Sequence, residues 1–458
     1  MTRRFYVRTF GCQMNEHDSE RIAGLLAEDG MEPTDRLEDA DLVVLNTCCI
    51  RENADNKLYG HLGHLHSLKA ANPDLQIAVG GCLAQKDRER IVERAGHVDV
   101  VFGTHNLAHA PALLREAARR GEPVVEILEE HEAYPSALPA RREVDHAAWV
   151  TIQIGCDNSC AFCIVPQVRG AEVSRRMGDV VHEVEELARD GVSEITLLGQ
   201  NVNSYGRDLG AGQWRPQFAD LLRAVSAVEG IRRVRYTSPH PKDLRPETIA
   251  AMAESDAVCA HLHLPLQSGS DRTLARMRRG YTAERYLARL ADARAGVPDL
   301  AVTTDIIVGF PGETDDDFAA TLAVAEAAEY DAAYTFLFSP RPGTAAAEML
   351  DQAVPADVAA ERMRRLVEVV DRHALAKHRA RVGRVEEVLV EGPSKKDAGV
   401  LSGRTGQNKL VHFEGNVAPG AYAEVRITYA APHWLRGELV RATHPARARR
   451  VRIPVAAG

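Results

Sequence analysis

The chain has 458 residues, 45% of them apolar and 26% charged, with 56 Lys and Arg against 65 Asp and Glu for a formal charge of −9. This composition supports buried cores and excludes a disordered chain, and the length corresponds to about three domains. No apolar run approaches the roughly 18 residues of a membrane helix, and the N-terminus turns polar too early for a secretory leader, so a cytoplasmic protein with no membrane contact is expected.

Four short β-type runs fall in the first hundred residues, at 4–10, 41–46, 76–80 and 98–102, with charged or amphipathic helical patterns between them. Strand alternating with helix predicts a parallel α/β sandwich over residues 1–125. A polar, Pro-containing stretch reads as a linker over 126–145. A second alternating series follows, with strands expected at 149–154, 194–198, 234–237, 261–266, 302–308 and 333–338. Six β/α units over 146–375 are too few for a full eight-stranded barrel and predict an open, partial one. Residues 376–446 carry short strands at 385–390, 410–413, 422–429 and 434–440 broken by Gly, Pro and Asn, which predicts a small antiparallel β-barrel with a basic tail, 447–458, after it.

Charge is divided unevenly between these parts. From Ala376 onward there are 15 Lys and Arg against seven Asp and Glu, so +8 sits at the C-terminal end and −17 on the rest. A basic module on an acidic body suggests an anionic partner held at one end. Lys395, Lys396, Arg447, Arg449, Arg450 and Arg452 are the candidates for phosphate contact.

The eight cysteines are too few for a disulfide framework in a chain of this length. Cys12, Cys48 and Cys82 each stand just past the carboxyl end of an expected strand. In a parallel sheet those ends share one edge, so the three thiols converge there and suit an iron–sulfur cluster with one iron left open; zinc is the competing occupant. Cys49 adjoins Cys48 and is expected to point elsewhere as a spectator. Cys156, Cys160 and Cys163 follow the first strand of the second series at spacings that let one loop wrap a [4Fe–4S] cube, again with an open iron. A redox pair or a zinc site is the alternative. Cys259 reads as a small core residue, and His61, His64 and His66 as positions on a polar helix that needs no metal.

The triplet CDNSCAFC resembles the CxxxCxxC motif of radical S-adenosylmethionine (SAM) enzymes. TFGCQMNEHDSE, NTCCIRENA, GGCLAQ, IVPQVRGAEVSR, LLGQNVNSYG, HLHLPLQSGSDRTLARMRRGYT, TDIIVGFPGET and FLFSPRPGTAA extend the likeness over nearly the whole chain, in order, to the methylthiotransferase family of those enzymes. The resemblance implies two [4Fe–4S] clusters, at Cys12, Cys48 and Cys82 and at Cys156, Cys160 and Cys163, and a C-terminal TRAM-like barrel that binds RNA. It also implies a reaction that consumes two SAM, one as methyl donor and one as source of a 5′-deoxyadenosyl radical. GCQMN, RGAEVSR and SPRPGT favour the branch that acts on carbon 2 of N6-dimethylallyl adenosine beside the tRNA anticodon. Ribosomal-protein aspartate and threonylcarbamoyl-adenosine in tRNA are the rival substrates, and an RNA-binding electron-transfer protein is the rival class. A reducing electron donor and a sulfur source are further required, and a monomer is expected.

In HLHLPLQ, the leucines are expected to face surrounding helices while His261, His263, Pro265 and Gln267 face a polar barrel interior. Thr303 and Asp305 share one face of their strand, and Gln200 ends its strand at the same rim. Gln200, His263 and Asp305 are therefore candidates for SAM or substrate contact, with Phe162, between two cysteines, packing on the SAM adenine as the resemblance implies; Arg175 or Arg176 is expected to reach the carboxylate of the ligand.

Overall fold

The computed structural model describes residues 2–49, 52–130, 138–210 and 215–447. Part of the expected linker, residues 131–137, and the tail residues Arg449, Arg450 and Arg452 lie outside them. Among the described residues no helix is long and apolar enough to cross a membrane.

The first unit is a six-stranded, wholly parallel sheet of β1 (Arg4–Thr9), β2 (Glu32–Pro33), β3 (Leu42–Thr47), β4 (Gln76–Gly81), β5 (Val100–Phe102) and β6 (Val124–Glu126), in the order β2-β1-β3-β4-β5-β6. Its connections run through helices α1 (Gln13–Glu28), α2 (Glu52–Ala71), α3 (Cys82–Asp87), α4 (Arg90–Arg94) and α5 (Ala110–Arg120). Strands β3 and β4 are buried on both faces. Two apolar layers account for this, one built around Val43, Leu45, Ile77 and Val79, the other around Leu42, Val44, Ala78 and Phe102.

The second unit holds β7 (Ala147–Thr151), the short antiparallel pair β8 (Gln153–Ile154) and β9 (Val173–Ser174), then β10 (Glu194–Leu198), β11 (Arg233–Tyr236), β12 (His261–His263), β13 (Ala301–Val308) and β14 (Ala332–Leu337). Strands β11-β10-β7 and β12-β13-β14 form two parallel sheets that meet through a parallel bridge between Val234 and Val258, giving an open six-stranded partial barrel. Around it lie α6 (Val165–Arg169), α7 (Met177–Arg189), α8 (Phe218–Ser226), α9 (Pro246–Glu254), α10 (Asp271–Arg276), α11 (Ala283–Gly296), α12 (Asp315–Ala328) and α13 (Ala356–Arg379). Leu262, Leu264 and Leu266 are fully buried in the core these helices share, each worth about 1.5–3 kcal/mol. The expected division at 375/376 falls inside α13.

The C-terminal unit is a closed barrel of β15 (Val385–Pro393), β16 (Leu401–Thr405), β17 (Leu410–Glu414), β18 (Tyr422–Ala430) and β19 (Leu435–His444), in the order β15-β16-β17-β19-β18. The expected antiparallel barrel needs one correction, because β17 and β19 pair in parallel. The barrel docks on the second unit through cations that cap its carbonyls: Arg233 donates to Arg404 O at 2.7 Å and Arg235 to Thr405 O at 2.8 Å. Lys409 and Asp331 add a buried ion pair at 2.7 Å.

Candidate functional site

Strands β1, β3 and β4 are neighbours, so the cysteines that follow them leave adjacent strand ends. Cys12 caps α1, Cys48 follows β3 directly, and Cys82 opens α3. Thr47 pairs with Gly81, which sets Cys48 beside Cys82. Gly11 passes so close to Cys48 that an added Cβ would lie 2.6 Å from the cysteine's own, and its φ of +138° favours glycine. Cys49 is not turned away as expected. Its thiol hydrogen-bonds Cys82, and that bond, with Arg169 assisting, holds the Cys82 thiol below the usual thiol range against the effect of burial.

The second triplet lies on the loop after β8. Gly155, at φ +75°, opens it, and a Cβ there would sit 1.8 Å from Ala171 O, so only glycine lets the chain turn into Cys156. Cys163 N–H bonds Cys160 O at 3.1 Å, and Asn158 donates to Cys156 Sγ at 3.4 Å. Burial pushes the Cys163 thiol up to about 12. Arg279, buried among Tyr281 and the Pro265 carbonyl, donates from Nη1 to Cys160 Sγ at 3.3 Å. A permanent cation therefore stands beside a thiol that metal binding requires as thiolate.

One cavity of about 490 Å³ joins the two groups: Cys12 and Cys82 line it together with Cys156, Cys160 and Cys163. Cys48, buried, is not on its wall. Among the described residues no three Cys, His, Asp or Glu side chains come close enough to share one metal ion. The ligands of a four-iron cube each take a different iron and must surround a volume rather than meet at a point, so the two triplets fit cubes better than single zinc ions.

The polar faces of β12 and β13 supply the rest of the wall. His261, His263, Pro265 and Gln267 line the cavity, as do Thr303 and Asp305. His263 Nε2 lies 3.5 Å from Asp305 Oδ2, and its Nδ1 is 3.0 Å from Thr303 Oγ1. Gln200 and Phe162 are on the same wall, and Gln200 Oε1 is buried with no hydrogen-bond partner among the described residues. Four of the five candidate contacts thus come together. Arg175 does not: its guanidinium bonds Thr151 O at 2.9 Å and pairs with Glu183, tying β7 to α7. Arg176 is an exposed residue at the start of α7. The reason is local, since Arg175 follows β9, whose antiparallel pairing with β8 aims the side chain into the α7 layer.

Four further cavity residues were not singled out from the sequence: Arg169, His240, Arg279 and Asn408. His240 accepts from Lys242 N–H at Nδ1, so its proton is on Nε2, a buried donor with no partner among the described residues. Burial, reinforced by Arg279 and Lys242, lowers its pKa to about 2 and keeps the ring neutral. Arg169 comes from α6, six residues past Cys163, and crosses to the first unit, where it pairs with Asp18 at 2.7 Å in a buried contact. Thr104 Oγ1 to Val168 O, 2.5 Å, and a small apolar cluster of Met14, Ile154 and Leu198 brace the same junction. Asn408 belongs to the turn between β16 and β17 that Arg235 and Lys409 fix over the cavity. Arg169 lies in RGAEVSR and Arg279 in the HLHLPLQSGSDRTLARMRRGYT passage, but no period or spacing marks the four as neighbours; only the packing of three units around one space brings them together.

The other expectations resolve simply. Cys259 is buried, its N–H bonding Val234 O at 3.0 Å. His61 lies against the Phe10 ring and His66 against His97, both on α2. Lys395 and Lys396 are exposed, whereas Arg447 donates to Gly230 O at 3.2 Å.

Comparison with known proteins adds the following. Residues 4–103 match the model of an uncharacterized protein family, UPF0004, residues 150–325 the radical SAM superfamily, and residues 379–440 the TRAM domain. The chain is 56% identical to the tRNA-2-methylthio-N(6)-dimethylallyladenosine synthase of Acidothermus cellulolyticus, over 97% of this chain and 90% of that one. It is 55% identical to the protein of that name from Streptomyces coelicolor, over 95% and 87%. Among solved structures, the radical S-adenosylmethionine methyltransferase TsrM from Kitasatospora setae aligns with TM-score 0.54 at 15% identity, covering 76% of this chain and 75% of that one, a likeness of fold alone.

Proposed function

The chain belongs to the tRNA-2-methylthio-N(6)-dimethylallyladenosine synthases, which are radical SAM methylthiotransferases, and we propose that it performs their reaction with two clusters facing one cavity. It is a tRNA-modifying enzyme that uses an iron–sulfur cluster and SAM. The target, carbon 2 of the adenine in N6-dimethylallyl adenosine beside the anticodon, has no acidity that a base can exploit, so the C–H bond must be broken by a radical. When bound, the cluster at Cys156, Cys160 and Cys163 supplies the electron that splits one SAM, and a second cluster at Cys12, Cys48 and Cys82 supplies the sulfur that another SAM methylates.

The chain's own residues hold and orient. Cys156, Cys160 and Cys163 occupy a loop kept in place by Gly155 and Asn158, and Arg279 fixes the orientation of Cys160. His240 Nε2–H and Gln200 Oε1 offer one donor and one acceptor to a polar ligand, and satisfying them removes the cost of two buried unpaired groups. Asp305, paired with His263, presents a carboxylate toward the amino or hydroxyl groups of such a ligand, and Phe162 offers an aromatic edge beside it. The leucine-backed strands keep this polar wall rigid, and the three-unit enclosure limits water around a reactive radical. An external reductant and a sulfur source complete the set, serving a cytoplasmic monomer.

The observation that carries the reading is the common cavity lined by cysteines of both groups. Anaerobic reconstitution tests it: about eight irons per chain are expected, falling to about four when Cys156, Cys160 and Cys163 are replaced by alanine. Retention of all the iron contradicts the assignment. The substrate is tested by mass spectrometry of tRNA nucleosides from a strain lacking the gene; undiminished 2-methylthio-dimethylallyl adenosine there overturns it.

A further inference from the structure

The C-terminal barrel has a docked side and an open side. Val411, Phe413, Val425, Ile427 and Leu435 point inward, so the alternate residues on the same strands point out. Register then places three of these in one row: His412 on β17 is opposite Arg436 on β19, which is opposite Tyr429 on β18. A bulge between Ile427 and Tyr429 gives Tyr429 its outward direction. Trp434, two residues before Arg436, completes the group. Its ring centroid is 5.4 Å from that of Tyr429 and 5.7 Å from that of His412, and Arg436 lies over its ring at 5.9 Å.

Tyr429 is 54% exposed, and Arg436 is exposed as well. Large aromatic side chains are costly to leave in water unless something covers them part of the time. Charge indicates the chemistry of that cover, because the exposed Arg436 carries no carboxylate partner among the described ion pairs. Interleaved aromatics and cations suit flat bases joined by phosphates. Position adds the second argument. Asn408, in the turn just before β17, lines the cavity, and His412 follows it by four residues, so the row starts within about 14 Å of Asn408, no more than the rise of about four stacked nucleotides.

We propose that Tyr429, Trp434, His412 and Arg436 form a stacking platform for unpaired nucleotides of the substrate RNA that flank the base entering the cavity. This rests on the reading of the chain as a tRNA-modifying enzyme, and it assigns the grip on single-stranded RNA to the outer face of the barrel rather than to its lysines alone. Each base has a π-face, so the platform holds RNA in place without reading its sequence.

The test uses the full reconstituted enzyme and an anticodon stem–loop RNA carrying N6-dimethylallyl adenosine, with Kd measured by fluorescence anisotropy at several salt concentrations. Tyr429→Ala and Trp434→Ala are each expected to weaken binding about tenfold with the salt dependence unchanged, and Tyr429→Phe to bind as the parent does. Arg436→Gln is expected to flatten the log–log salt slope by about 0.7. Affinities of Tyr429→Ala and Trp434→Ala within twofold of the parent overturn the platform, as does an equal loss in Tyr429→Phe. Should Trp434→Ala lose the barrel fold by circular dichroism, the exposed Tyr429 pair of variants decides the matter. A parent enzyme that binds and modifies the RNA while the alanine variants bind equally well refutes the platform only; a parent that neither binds nor modifies it refutes the functional reading.

Discussion

Replacing Asp18 with asparagine tests how the first two units are held together. Asp18 and Arg169 pair at 2.7 Å with side chains only 5% and 7% exposed, so solvent screens the contact little. Removing one charge from a buried pair costs about 3–5 kcal/mol, because the remaining guanidinium stays buried without its counter-ion. Arg169 also faces Cys12 and Cys82. Once those cysteines hold a cluster as thiolates, their negative charge takes over part of the role of Asp18. The expected loss then shrinks to about 1.5–3 kcal/mol, the worth of one charged hydrogen bond. Anaerobic urea unfolding of parent and Asp18→Asn, each iron-free and reconstituted, gives the comparison by circular dichroism. A loss under about 1 kcal/mol in the iron-free form, or an equal loss in both forms, refutes the argument.

Three further outcomes are expected. Burial raises the Glu20 pKa from 4.5 to about 7, so the native state keeps a proton that the unfolded chain releases. Stability from this group is full below about pH 4.5 and declines as pH rises through 7, by about 3 kcal/mol at pH 8; Glu20→Gln should flatten that slope in urea midpoints, and an unchanged slope contradicts it. Arg279→Gln removes the N–H donor and charge 3.3 Å from Cys160, so the midpoint potential of the bound cluster should fall in an EPR-monitored titration, with Arg279→Lys intermediate; identical potentials in all three contradict the assignment. Cys48→Ser should cost about four irons per chain, whereas Cys49→Ser should keep all eight, and the reverse pattern would transfer the ligand role to Cys49.

Much of the fold is legible in the sequence because periodicity reports burial. The alternating leucines of HLHLPLQ separate a helix-facing side from a cavity-facing side, and both sides are found where the pattern puts them. Elements too short or too polar to carry a period escape it. β2 is two residues ending in a proline at a sheet edge, and β16, LSGRT, has a single large apolar residue. The parallel seam of the barrel is invisible because pairing direction between β17 and β19 depends on a connection that passes around β18.

The site divides in the same way. Both cysteine groups can be read from their places after strands, but not the fact that they face one another. That depends on long-range contacts such as Arg169 with Asp18 and Arg235 with Thr405. Arg175 illustrates the opposite error, a basic residue near the triplet whose partners are the Thr151 carbonyl and Glu183. His240 and Arg279 carry no spacing signal, and their importance appears only as a buried unpaired Nε2 and a donor on a cysteine sulfur.

The central claim is that two clusters with different tasks serve one cavity, and the Cys12→Ala, Cys82→Ala double variant tests it most directly. Incubated anaerobically with SAM, a reductant and substrate tRNA, and analysed by mass spectrometry, it should still form 5′-deoxyadenosine from the cluster at Cys156, Cys160 and Cys163 while making no 2-methylthio product. Methylthiolated tRNA from that variant would contradict the account.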